Sequence, residues 1–147
     1  MTATGLITTD VISKTISYTS STIFTLGKSL FYSNHSVDVT ELERFEKKED
    51  VLESIRIYDL WIQEIEEKHA ERLQQSTSLR EAIHSFGTVL EEIHRILQDI
   101  EEKIKQHKVK WFYSYRFVSF QTELEQLQLY KTILDHRFRM IQHVSKF

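Results

Sequence analysis

The chain has no cysteine and no proline, and its 147 residues include only three glycines. Without cysteine it cannot form a disulfide, a thiolate nucleophile or a zinc finger. A β-sandwich or barrel of this length needs many turns, and the residues that form turns are scarce here. A phosphate-binding loop needs clustered glycines, but these stand apart at positions 5, 27 and 87. These absences leave an all-helical domain as the prediction.

The net charge of −3 combines an acidic middle with a basic end. Residues 38–75 hold six cations and twelve anions, whereas residues 107–147 hold seven cations and three anions. A basic end of this kind favours contact with anionic surfaces. We expect a single domain over 1–147, with a Ser/Thr-rich apolar first helix over 1–37 and a charged three-helix core over 38–147. The chain stops without a polar tail, so we also expect it to be the N-terminal part of a longer protein.

The second helix is predicted from a start signal and an apolar stripe. Asp38-Val-Thr-Glu41 has the form of a capping box, and Thr40 with Glu43 is an equal alternative. The apolar residues beyond it recur at helical spacing and predict one helix over about 40–75. The stripe consists of Leu42, Phe45, Leu52, Ile55, Tyr58, Ile62, Ile65 and Leu73.

The third helix has the strongest pattern in the chain. Ser78, with Glu81 three residues later, is predicted to cap it. Its apolar residues alternate at steps of four and three, which is a heptad seam. They are Leu79, Ile83, Phe86, Leu90, Ile93, Leu97, Ile100 and Ile104. Because the break before it is short, this helix is predicted to run antiparallel to the second.

Weaker patterns predict a first helix over about 5–33 and a last helix over about 118–145. The first is rich in serine, threonine and isoleucine, which are modest helix formers, so it depends on packing against the others. Together the four segments predict an antiparallel up-down four-helix bundle with long second and third helices.

Two Glu-x-x-His pairs on the third helix bear on metal binding. They are Glu81 with His84, and Glu91 with His94. Di-iron bundles take one such pair from each of two helices, whereas both pairs here lie on one helix and flank its apolar stripe. No histidine stands in a recognisable nucleophile setting. We therefore expect no metal, no cofactor and no enzymatic activity, with a di-metal enzyme as the third-ranked hypothesis.

Cations and aromatic residues alternate over residues 103–117. Such a mixture suits a lipid interface, where charges meet anionic headgroups and rings lie at headgroup level. Capping of the bundle end by the rings is the structural alternative, and single-stranded nucleic acid is a weaker functional one. The predicted membrane-binding residues are Lys103, Lys105, Lys108, Lys110, Trp111, Phe112 and Arg116. No nucleic-acid partner is predicted.

The first helix has two interpretations. It is either a permanent strut of the bundle or a detachable segment that inserts into a membrane. Its longest apolar run is only three residues, far short of the ~20 needed to span a bilayer. Its few charges and its hydroxyls, which can bond to their own helix, lower the cost of entering lipid. The candidate inserting residues are Ile12, Ile16, Ile23, Leu26 and Leu30.

The apolar first helix, the third-helix pattern and the aromatic turn that follows resemble a known family. The residues concerned are Leu79-Arg-Glu-Ala-Ile83, Phe86, Val89-Leu90-Glu-Glu-Ile93, Ile96-Leu97, Trp111 to Phe120, Phe120-xxx-Leu124-xx-Leu127 and Leu134. The pattern resembles the HeLo-like cell-death domains, a family that includes the N-terminal four-helix bundle of mixed-lineage kinase domain-like pseudokinases. The glycine-rich repeat of some fungal members is absent, so a glycine-zipper pore is not expected.

The resemblance implies a cytoplasmic module that is held in check by packing. On activation it would form a homo-oligomer, move to an anionic phospholipid membrane and permeabilise it. A kinase-like or other signalling domain often follows such a module. The alternative is an adaptor bundle that binds a partner helix in a groove and has no membrane role.

Overall fold

A computed structural model of the chain describes residues 9–32, 38–108 and 118–146. These ranges contain helices and short connections and no β-strand, so the all-α prediction is confirmed. The helices are α1 Thr9–Tyr32, α2 Thr40–Glu49, α3 Val51–Lys68, α4 Ala70–Gln75, α5 Thr77–Lys108 and α6 Gln121–Val144. The four-helix up-down arrangement stays a prediction.

The single helix predicted over 40–75 is wrong, because the chain forms α2, α3 and α4 there. Asp50 adopts the left-handed conformation, with φ 51° and ψ 48°, and ends α2. The side chain of Glu46 then accepts a hydrogen bond from the backbone N–H of Leu52 at 3.0 Å, which stabilises the start of α3. A second break lies at His69, whose φ of −134° leaves the helical region. Neither break contains a glycine or proline that would have marked it.

The helix starts also differ from the predicted caps. At α2 no capping box forms; Asp38 accepts hydrogen bonds from the N–H of Thr40 at 3.0 Å and from its hydroxyl at 2.6 Å. At α5 the capping residue is Ser76, whose hydroxyl oxygen accepts the N–H of Leu79 at 3.2 Å. Ser78, the predicted cap, lies inside the helix. Asp, Ser and Thr compete for the same local bonds, so sequence places a cap only to within a few residues.

Helix α1 lies between α3 and α5. It runs antiparallel to α3, since Ser17 near its start bonds Asp59, while Gly27 near its end lies against Leu52. A Cβ atom at position 27 would lie 2.9 Å from Leu52 Cδ1 and overlap Cδ2, so with glycine at this position the Leu52 side chain packs directly against the α1 backbone.

Helix α6 packs along α5 in the opposite direction. Phe86 near the start of α5 meets Phe138 near the end of α6, with ring centroids 6.3 Å apart. At the other end of the pair, Lys103 bonds Glu123. The two helices therefore cover one side of the core along their shared length.

Helices α3 and α6 run in the same direction. Glu49, just before α3, bonds Gln128 in the first half of α6 at 3.4 Å. About two turns further along α6, the hydroxyl of Tyr58 donates to Asp135 at 2.6 Å. The same tyrosine ring lies 4.1 Å from the ring of Phe138, between centroids.

The heptad seam of α5 forms the centre of the core, as predicted. Its members Leu90, Ile93, Leu97 and Ile100 are fully buried. Helices α1 and α6 cover them from two sides, which explains why the apolar stripe of α5 is wider than one neighbour requires.

Replacing Leu90 with alanine should therefore destabilise the protein by about 2–5 kcal/mol, the usual cost of a cavity in a packed core. Leu129→Ala is the matched control, because this leucine is 57% exposed and its loss should change stability by less than about 0.5 kcal/mol. Urea denaturation measures both. Equal effects would contradict the placement of α5 in the core.

Candidate functional site

The apolar face of α1 is packed inside the molecule. Ile16, Ile23 and Leu30 are each at most 2% exposed, and Ile12 and Leu26 are half-buried. These are the five residues that the sequence offers for membrane insertion. They can meet lipid only if α1 separates from its neighbours.

Polar side chains hold α1 against α3. The hydroxyl of Ser17 donates to Asp59 Oδ1 at 3.0 Å. The amide of Gln63 donates to Ser17 Oγ and to Asp59 Oδ2, both at 2.8 Å. The three side chains are only partly buried, so water can replace their bonds, and each bond contributes roughly 0.5–1.5 kcal/mol net. These polar bonds therefore align α1 with α3 and add little to the stability of the contact.

A second polar feature of α1 is less favourable to packing. Ser20 is 4% exposed, and its hydroxyl has no hydrogen-bond partner. Burying such a group unsatisfied costs about 1–3 kcal/mol. The cost is relieved if α1 moves to a place where the hydroxyl meets water or a headgroup. The sequence shows the richness in serine but not which serine is buried without a partner.

Lys103, one of the predicted membrane-binding residues, connects α5 to the start of α6. Its ammonium group donates to Glu123 Oε2 and to the backbone carbonyl of Ser119, both at 2.9 Å. It also lies 5.9 Å from the ring centroid of Phe120. Glu123 is 7% exposed, whereas the Lys103 side chain is 41% exposed, so the ion pair is partly buried. These contacts give Lys103 a structural role.

Lys105 and Lys108 lie on the exposed surface at the end of α5. Lys105 is 3.5 Å from Glu101 in an ion pair that solvent screens. Lys108 extends from the last position of the helix. The other predicted members, Lys110, Trp111, Phe112 and Arg116, lie outside the described residues. Of the predicted patch, the structure therefore places two exposed lysines together at one end of α5.

The two Glu-x-x-His pairs lie on the outer flank of α5. Glu81, His84 and Glu91 are exposed and His94 is half-buried. Within the ranges that the structure describes, no three histidine, aspartate or glutamate side chains come together as metal ligands. Both pairs remain on one helix, where they lack the second helix that a di-iron site uses.

Glu46 on α2 is a site that the sequence analysis missed. The side chain is 2% exposed, and its Oε1 accepts the N–H of Leu52 while Oε2 has no partner. Burial, with a smaller contribution from the charge of nearby Asp50, raises the pKa of Glu46 to about 7, although the hydrogen bond from Leu52 and the charge of Lys131 act to lower it. Its position four residues after buried Leu42 is the signal that could have revealed it.

Comparison with protein-family models, with curated proteins and with solved structures finds no match for this chain. Across 9–32, 38–108 and 118–146, every helix is too short or too polar to cross a bilayer.

The raised pKa of Glu46 predicts how stability changes with pH. The folded protein holds this proton more tightly than the unfolded chain, whose glutamate titrates near 4.5. The free energy of unfolding should therefore fall as pH rises from about 4.5 to about 7, by roughly 3 kcal/mol in all. Glu46→Gln keeps an acceptor for Leu52 and should remove this pH dependence.

Thermal denaturation across that pH range measures the effect, and Glu43→Gln, at an exposed site on the same helix, is the matched control. A Glu46→Gln variant with the full pH dependence of the parent would contradict the assignment.

Proposed function

We propose that the chain is a membrane-binding helical module of the HeLo-like kind, in which α1 leaves the bundle and oligomers of the chain permeabilise anionic membranes. The observation that carries the proposal is the contrast within α1. Its apolar face is buried, yet partly exposed polar bonds attach it to α3 and one of its buried hydroxyls is unsatisfied.

The same proposal includes the arrangement of the helices. We take α1, the α2–α4 segment, α5 and α6 as the four struts of an antiparallel up-down bundle. The contact pairs support alternating directions, because α1 opposes α3, α6 opposes α5, and α3 is parallel to α6. In this arrangement α1 covers α5 on one side, so its departure uncovers apolar surface on both helices.

A lipid interface can compensate for that uncovering. Each isoleucine or leucine that moves from water into an apolar environment gains about 1.5–3 kcal/mol. Since Ile16, Ile23 and Leu30 share one face of α1, a membrane can bury all three together. The exposed lysines at the end of α5 add about 1 kcal/mol each near anionic headgroups. Membrane contact thus replaces the interactions that the bundle loses.

The adaptor hypothesis is supported by a different feature. A surface groove between α1 and α5 is lined by Ile12, Ile16, Gly87 and His84, among others. Glycine at position 87 adds no side chain to the groove, and half-buried Ile12 on α1 offers an apolar contact for a partner helix. An adaptor binds such a partner while α1 stays in place, so locking α1 distinguishes the two functions.

A disulfide between α1 and α3 should abolish membrane permeabilisation. Ser17→Cys with Asp59→Cys places one thiol on each of two side chains that now share a hydrogen bond of 3.0 Å. The chain has no native cysteine, so no native thiol competes with this pair. We expect the oxidised variant to leave anionic liposomes intact and the reduced variant to release their contents, because only the latter can free α1.

The two single-cysteine variants, treated with the same oxidant and reductant, are the controls. Leakage from the oxidised double variant equal to that of the reduced form would contradict the release of α1. Binding of a protein partner that is unaffected by the lock would favour the adaptor.

The exposed lysines give a separate prediction for membrane attachment. Lys105→Glu with Lys108→Glu should weaken binding to anionic liposomes by at least about tenfold, and added salt should weaken the parent in the same way. Lys68→Glu with Lys146→Glu changes the net charge equally at exposed positions near the ends of α3 and α6 and is the control. Liposome sedimentation measures both. Equal losses in the two variants would assign binding to net charge rather than to this surface.

A further inference from the structure

The outward face of α3 carries a stripe that the core does not use. Ile57 and Leu60 are 50% and 47% exposed, and exposed Glu64 and Glu67 continue the stripe. The four positions follow at steps of three, four and three, the spacing of one helix face that packs against another helix. The first half of this α3 face is apolar and the second half is acidic.

The outward face of α6 has the same residue spacing, but its second half carries histidines and a methionine instead of glutamates. Leu129 and Met140 are 57% and 45% exposed, half-buried Ile133 lies between them, and exposed His136 and His143 complete the stripe. Steps of four and three alternate along it. The α6 face thus begins apolar and continues with imidazole side chains.

Charge differs between the two faces. Glu64 and Glu67 form no ion pair with another described residue, so the α3 face keeps an exposed negative end. On α6, exposed Arg139 borders the stripe, and Asp135, the acidic residue nearest to it along the helix, is engaged by Lys131 at 2.9 Å. The second half of the α6 face is therefore bordered by a cation, Arg139, whereas that of the α3 face carries two carboxylates.

We propose that the α3 face of one copy of this chain binds the α6 face of another, in a head-to-tail contact. Because α3 and α6 run in the same direction within a molecule, rotation about an axis along the helices, combined with a shift along that axis, brings them together in parallel. The shift sets the apolar halves against each other and the acidic half against the half that Arg139 borders. A contact between two different faces that includes such a shift continues as a filament. The contact gives a structural basis for the oligomerisation in the proposed function and rests on that part of it.

Charge reversal tests the contact directly. Glu64→Lys with Glu67→Lys makes the α3 face basic, and His136→Glu with Arg139→Glu makes the α6 face acidic. Each variant alone then opposes like charges, and its self-association should weaken by about tenfold or more. The two variants mixed in equal amounts pair opposite charges again and should associate as the parent does.

Sedimentation of the full chain at concentrations up to about 1 mM and low salt measures this association. Glu91→Lys with Glu102→Lys, at exposed positions on α5, is the matched control and should associate like the parent. A parent chain that stays monomeric over this range would overturn the contact, as would a mixture that does not regain association.

The α6 face could instead bind an anionic lipid surface. Liposome binding distinguishes this alternative from the contact between two copies of the chain. If the α6 variant loses liposome binding and the mixture does not regain association, lipid covers this face and the proposal is wrong. Leakage of liposome contents is measured on the same samples. If the chain still associates but does not cause leakage, the proposed function is wrong while the contact between the α3 and α6 faces stands.

Discussion

Helix α5 is apolar over so much of its circumference that it needs a helix on each side, and this requirement organises the molecule. Its buried positions include both the heptad seam and flanking residues such as Val89 and Ile96. Helix α6 covers one side of α5 and contacts it through aromatic rings and the Lys103–Glu123 ion pair. Helix α1 satisfies the other, although it has weak helix-forming residues of its own. The fold thus depends on α1 for burial, while α1 depends on the fold for its helical conformation.

The contacts of α1 differ in strength along its length. Near Gly27 the helix approaches Leu52 closely, whereas near Ser17 the contact with α3 is a polar network that water can replace. In the proposed function such a helix opens more readily than one held by apolar contacts alone, since its polar bonds lose little on hydration. The break at Asp50 adds a second polar site, where Glu46 supports the start of α3 while one of its oxygens is unsatisfied. Both sites adjoin the helices that would have to rearrange.

The strong periodic patterns in the sequence predicted which helix faces are buried. The stripe of α5 predicted its own position in the core because a helix with that many apolar residues has no alternative to burial. The apolar face of α1 was likewise predicted from Ile16, Ile23 and Leu30. The break at Asp50 could not be predicted, because few aspartates adopt the left-handed conformation. The hydrogen bond that supports this break joins residues six apart, since the N–H of Leu52 donates to the side chain of Glu46. Capping by Ser76 rather than Ser78 depends on which of two nearby hydroxyls faces the first turn, and the sequence does not distinguish them.

We propose that α1 separates from the other helices at a lower free energy than that at which the whole protein unfolds. Amide hydrogen exchange measures this directly, by comparing residues 16–30 of α1 with residues 90–100 of α5 under native conditions. We expect faster exchange in α1 without denaturant, and a further change in both helices when anionic liposomes are added, because α1 then leaves α5 uncovered. Equal exchange rates in the two helices, lost together only when the whole protein unfolds, would contradict it.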